Sequence, residues 1–190
     1  MQRVIFVAHF DDPRHGPRPS SFPEQVAAPA SSTSEAPVGS WRIGLSADLA
    51  SAQAAADRGE LEAWVHTYLK GPGKNPAFAE GLAREQRYWR GPLRVELEKL
   101  ERTCGPEPEM PYWEPADRWE ARIVALQAEY RGVEHHAPLL VQYESGRLRI
   151  RDGNHRYAAL ESLHMGECWI ILWYANVEEY GHHQARGFRV

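Results

Sequence analysis

The residues best placed to do chemistry form one string, Arg151-Asp152-Gly153-Asn154-His155-Arg156. It stands where an alternating apolar segment gives way to a helical pattern. Free backbone N–H groups and the helix dipole make such a junction a place for an anion, and phosphate suits it. Gly153 lets the backbone approach a ligand without a Cβ in the way, Arg156 offers planar bidentate donors, and His155 donates from one ring nitrogen or, when protonated, from both. An arginine just inside a helix start gains nothing from the dipole, so Arg156 is expected to contribute little to ligand-free stability and to act only when an anion meets it. Asp152 has two readings, a carboxylate for nucleotide-bound Mg²⁺ or a cap for the helix. Local propensity alone also accounts for the string as an Asp-Gly turn, an Asn cap and a surface arginine.

The flanking elements must hold this loop. Leu139 to Tyr143 reads as a buried strand, Glu144-Ser145-Gly146 as a turn, and Leu148 and Ile150 alternate with arginines in a returning strand, which together make a hairpin. Asn154 opens a helix packed through Ala158, Ala159, Leu160 and Leu163, with Gly166 placed to stop it. Cys168 to Tyr174 is then a strand buried on both faces. Arg147, Arg149 and Arg151 share one strand face and read either as a positive wall for phosphates or as a solvated surface.

Upstream, Leu61, Trp64, Val65, Tyr68 and Leu69 have the spacing of a helix with one buried face, ended by Gly71-Pro72-Gly73. Phe78, Leu82 and Trp89 suggest a second helix, broken at Gly91-Pro92, with Leu93, Leu97 and Leu100 continuing in a shorter one. Cys104 to Pro111 reads as a loop. Trp119, Ile123, Leu126 and Tyr130 define a further helix, with Asp117 and Glu120 in the form of a capping box. The expected organisation is a short strand (Val4 to Phe10) plus a Pro/Ser/Ala-rich linker over residues 1–40, a helical portion over 41–136, a phosphate-binding core over 137–176 and a tail over 177–190.

The stretch from Pro138 through Gly146 and Arg151 to Gly166 resembles the ParB N-terminal and sulfiredoxin-like superfamily, which carries a Gly-x-His-Arg type loop between strand and helix. The resemblance implies an α/β (α+β) fold with a small mixed sheet, here bearing a helical N-terminal portion. It also implies ATP or CTP as ligand, held at Gly153, Asn154, His155 and Arg156; Asp152 and His155 are the candidate catalytic groups, and Asp152, as a carboxylate beside the phosphates, is the candidate Mg²⁺ ligand. Sulfiredoxins carry their reactive cysteine where this chain has Asn154, which cannot serve as a thiolate, so sulfinic acid reduction is not expected. Partition proteins continue into a helix-turn-helix and a dimerisation region, which 190 residues are not expected to hold. Two functions stay open: a small-molecule kinase or nucleotide hydrolase, with the free serine kinases as the nearest analogy, and a non-catalytic nucleotide-switched or DNA-associated module. A third outcome is that the helical portion buries the loop and leaves it structural.

Bulk numbers narrow the field. A formal net charge of −4 gives no global pull toward nucleic acid. Cys104 and Cys168 make neither a CxxC pair nor a disulfide framework and are expected to be inert free thiols in a cytoplasmic protein. Val4 to Phe10 is too short to span a bilayer. The pairs His135-His136 and His182-His183 lack the spacing of a metal motif, and Glu178 and Glu179 offer either a general base or a solvated surface pair.

Overall fold

The computed structural model describes residues 47–130, 132 and 135–185. The strand expected at Val4 to Phe10 and the linker expected up to Ser40 lie outside the described residues. Three helices come first: α1 (Leu49–Asp57), α2 (Leu61–Lys70) and α3 (Pro76–Leu82). They are followed by β1 (Tyr88–Glu96), β2 (Leu100–Glu101), the short strands β3 (Cys104–Gly105) and β4 (Tyr112–Trp113), and α4 (Ala116–Ala128). The chain continues through β5 (Leu139–Glu144), β6 (Arg147–Asp152), α5 (Asn154–Ser162), β7 (Glu167–Tyr174) and α6 (Val177–Ala185).

The main sheet runs β1-β7-β5-β6-β2, and β3 pairs with β4 in a separate ribbon. β5 and β7 are parallel neighbours at the centre, whereas β1 with β7 and β5 with β6 are antiparallel, so the sheet is mixed. The expected mixed α/β class is therefore borne out. The hairpin turn places Ser145 at φ 52° and Gly146 at φ 86°, the paired positive angles whose twist matches that of the flanking strands.

Both faces of the sheet are covered. On one, Val141, Tyr143, Ile150, Ile170 and Leu172 pack with Tyr157 and Leu160 of α5. On the other, Leu140, Ile171 and Trp173 pack against Val65 and Leu69 of α2, Leu82 of α3 and Ala52 of α1. That double burial is why β5 and β7 read as continuous apolar runs rather than as alternating ones.

Three expectations are corrected. Tyr88–Glu96 is a strand and not part of a helix. Trp89 and Leu93 lie on opposite faces of the sheet because the pairing register shifts between Arg90 and Leu93. Gly91-Pro92 is tolerated because β1 is an edge strand, where a missing N–H breaks no ladder on the open side. Secondly, α4 starts at Ala116 after Pro115 with no side-chain cap, so Asp117 lies in the first turn and forms no capping box. Thirdly, α5 ends through His164 at φ 54° and not through Gly166. The residues expected as a tail include α6, which packs on the end of β7.

Candidate functional site

β6 ends at Asp152, Gly153 turns the chain at φ 97°, ψ 19°, and α5 begins at Asn154. The strand, glycine and helix order read from the sequence is present. Glycine is required twice over: the backbone is left-handed, and an added Cβ would lie 2.6 Å from Leu139 Cδ2 and 2.8 Å from Arg156 Nη2. As the residue flanking the helix, Gly153 supplies no side-chain acceptor, so nothing from its own position caps the first-turn N–H groups.

The four polar residues around that turn point to different tasks. Asp152 accepts from Arg156 Nη2 at 2.9 Å, from the Tyr68 hydroxyl at 3.2 Å and from Asn75 Nδ2 at 3.5 Å. Arg156 also donates through Nη2 to the Tyr68 oxygen at 2.9 Å and through Nη1 to the carbonyls of Ala137 and Pro138. Its guanidinium lies 5.7 Å from the Tyr68 ring centroid. Burial pushes the Tyr68 phenol up to about 12, so it stays a neutral hydroxyl that bridges the pair. The expectation that Arg156 waits for an anion is corrected on this point: the guanidinium already has protein acceptors, and it fastens α5 to α2.

Asn154 is turned inward, 7 % exposed. Its Oδ1 accepts from the backbone N–H groups of Thr103 at 2.9 Å and Cys104 at 3.3 Å, and Nδ2 donates to the Ile150 carbonyl. The Thr103 hydroxyl donates to the same carbonyl. The amide therefore ties the segment between β2 and β3 to α5, and only the main chain of Asn154 remains to meet a ligand.

His155 faces the opposite way, toward β4 and α4. Its Nε2 lies 2.8 Å from Glu114 Oε2, and its ring sits 4.4 Å from the Trp119 ring. Glu114 is further held by Arg118 at 3.4 Å, and the Cys104 thiol reaches the same carboxylate oxygen at 3.9 Å. Burial lowers the His155 pKa below its ordinary value against the opposing pull of Glu114, with Arg122 and Arg118 adding to the lowering. Burial, reinforced by Glu114, raises the Cys104 pKa and keeps the thiol protonated. The Cys168 thiol is buried and pushed up to about 12, again by burial.

Other residues singled out from the sequence lie apart from the turn. Arg147, Arg149 and Arg151 are interleaved with carboxylates: Glu101 lies 3.6 Å from Arg147 and 3.7 Å from Arg149, and Glu144 lies 2.7 Å from Arg149 and 3.5 Å from Arg151. They form a ladder in which three arginines share two carboxylates, not a bare positive wall. His136 stacks on Tyr130 and, with Arg156 and Cys168, lines a cavity of about 30 Å³, room for little more than water. His182 and His183 meet the hydroxyls of Tyr143 and Tyr174. Glu179 accepts from the Ala175 N–H at the start of α6. Among the described residues no group of three or more His, Cys, Asp or Glu side chains is arranged to hold a metal ion. No helix among them is long and apolar enough to cross a membrane.

Sequence reasoning missed Tyr68, Asn75, Thr103, Glu114 and Trp119 as members of this neighbourhood. In the sequence Tyr68 and Trp119 carry only the spacing of buried positions on amphipathic helices, and Glu114 lies in a Pro-rich stretch that carries no local signal.

Solved structures similar to this chain include a sulfiredoxin and a ParB. Sulfiredoxin from Arabidopsis thaliana matches 49 % of it and 98 % of its own length at 24 % identity, with a TM-score of 0.34. The C-terminally truncated chromosome-partitioning protein ParB from Caulobacter crescentus, solved with CTP-γ-S, matches 54 % of it and 55 % of its own length at 17 % identity and a TM-score of 0.31. Sulfiredoxins and ParB proteins are also the groups that the motif over residues 138–166 resembles. Neither likeness assigns a ligand or a reaction to this chain. No protein-family model and no curated protein matches it.

Proposed function

We propose that the chain binds a nucleoside triphosphate, ATP or CTP, by its phosphates at the start of α5. The observation that carries this reading is the left-handed glycine at the helix entry, which leaves the first turn without a side-chain cap between the end of β6 and the body of α5. Main-chain N–H groups of Asn154, His155 and Arg156 then supply the donors, and the helix dipole adds a favourable field for negative charge. Gly153 permits close approach. Arg156 contributes positive potential behind the loop while remaining bonded to Asp152, Tyr68 and the 137–138 carbonyls.

Mg²⁺ in this reading arrives with the triphosphate and takes its ligands from phosphate oxygens and water. Asp152 already accepts three hydrogen bonds, so direct coordination by it would require the cation to displace Arg156. A nucleic-acid role is disfavoured by the net charge of −4 and by the carboxylates set among the three arginines of β6.

Thermal-shift and calorimetric titrations with ATP, CTP, their diphosphates and pyrophosphate, with and without Mg²⁺, test the proposal. A ligand that binds only the folded state raises its stability by about 2.7 kcal/mol at 100 times its Kd, a shift that is readily measured. Saturable binding of at least one triphosphate is expected. No shift with any of these ligands would sink the reading.

A further inference from the structure

His155 is held on two sides by residues distant in sequence. Its ring edge meets Glu114, 41 positions earlier, and its ring face meets Trp119, itself covered by Arg102 at 5.3 Å. One contact fixes the torsion of an imidazole and the other fixes its plane, so together they leave one orientation. The side chains are 28 % exposed for His155 and 16 % for Glu114, so the pair is largely sheltered while the ring keeps some contact with solvent.

A carboxylate has no proton to give at neutral pH, so Nε2 must carry the hydrogen in that contact. In the neutral ring Nδ1 is then a lone pair, and among the described residues it has no partner. Neutrality is the favoured state near pH 7, because burial and the cations Arg118 and Arg122 outweigh Glu114. Once a proton arrives, Glu114 stabilises the imidazolium. The Cys104 thiol, beside the same carboxylate, keeps its proton. A carboxylate-oriented, neutral imidazole with an open nitrogen has the form of a general base.

We infer that His155 Nδ1 is the proton acceptor of a nucleotide hydrolysis at this site, and that Glu114 is its positioning residue. The inference rests on the proposed binding of a triphosphate at the start of α5, since residue 155 belongs to the same first turn. A water oxygen attacks the terminal phosphorus, and the bond from that phosphorus to the β–γ bridging oxygen breaks. The bridging oxygen keeps the electron pair and leaves with the nucleoside diphosphate. The proton lost by water passes to Nδ1 and is later released to solvent, with inorganic phosphate as the second product.

The full chain is compared with His155→Gln and Glu114→Gln, both first checked for a parental melting curve. Nitrogen-detected imidazole NMR of the ligand-free parent is expected to show His155 as the Nε2–H tautomer. Phosphate release from ATP and CTP is expected to fall about 100-fold or more in His155→Gln, the usual scale of general-base catalysis. Glu114→Gln is expected to lower kcat about tenfold with KM held, because it disturbs the base and not the binding. The rising limb of kcat against pH should also move, because Glu114 is the main group favouring the imidazolium against Arg118, Arg122 and burial. An Nδ1–H tautomer in the parent, or parental turnover in His155→Gln, overturns the inference. Triphosphate binding without phosphate release overturns it and leaves the binding proposal standing, whereas no binding at all overturns both.

Discussion

Arg156 Nη2 and Asp152 Oδ2 lie 2.9 Å apart, so the last residue of β6 is bonded across the glycine turn to the first turn of α5. The pair is only 16 % and 13 % exposed, and Tyr68 of α2 bonds to both members. This contact joins the sheet, α5 and the upstream helices at one point. Arg156→Ala would leave the Asp152 carboxylate, the Tyr68 hydroxyl and two carbonyls short of a donor. A loss of about 2 to 3 kcal/mol in ligand-free stability is expected, on the scale of hydrogen bonds to charged groups. Urea unfolding of the two proteins measures it, and an unchanged midpoint with an unchanged slope would show that the pair contributes nothing.

Gly153→Ala tests the turn itself. The left-handed backbone and the approach of Leu139 and Arg156 both oppose a methyl group. Destabilisation of about 2 kcal/mol or more is expected, combining strain at a positive φ with a clash that the buried Leu139 cannot fully relieve. Triphosphate affinity should fall in the same protein, because the methyl group also displaces the Arg156 guanidinium behind the loop. Melting curves and titration of one variant separate the two effects.

Asn154→Ala removes the acceptor shared by Thr103 and Cys104. Thr103 is 2 % exposed, so its N–H would be left buried without a partner. About 1 to 3 kcal/mol is the expected loss. Amide hydrogen exchange should quicken most at Thr103, and equal protection there in both proteins would contradict the assignment of Asn154 as a structural tie.

Acid should weaken the fold through its histidines. His183, 1 % exposed, is the buried residue of α6; it lies 2.6 Å from the Tyr174 hydroxyl and is stacked on Tyr143. Burial, Arg90 and His182 hold its pKa below the ordinary 6.5, and burial likewise lowers His136 and His155. Below pH 6.5 the unfolded chain takes up protons that the folded chain refuses. Stability is thus full above that value and declines as pH falls through the lowered folded pKa values, by up to about 1.4 kcal/mol per pH unit for each such histidine. Denaturant midpoints of the parent and His183→Leu at about pH 7.5 and about pH 5 are the check, the variant being expected to lose less on acidification. Equal losses would remove His183 from the account.

Sequence alone settled the features that depend on neighbours within a few positions. The hairpin over residues 139–152, the helix start at Asn154 and the two-sided burial of β7 follow from turn chemistry and from runs of apolar residues, both local properties. Tyr88–Glu96 carries helical spacing only because residues of different elements fall three or four apart, Phe78 and Leu82 in α3, Trp89 and Leu93 in β1 and Leu100 in β2, and the boundaries between them are set by strand pairing with β7 and β6. The direction in which each polar side chain of the 152–156 turn points was equally out of reach. Asp152 and Arg156 are committed by Tyr68, 84 and 88 positions away, Asn154 by Thr103, 51 away, and His155 by Glu114, 41 away. A side chain's hydrogen bonds are chosen by whichever donors and acceptors the packed layers bring beside it, and that selection exists only once the sheet and its helices have assembled.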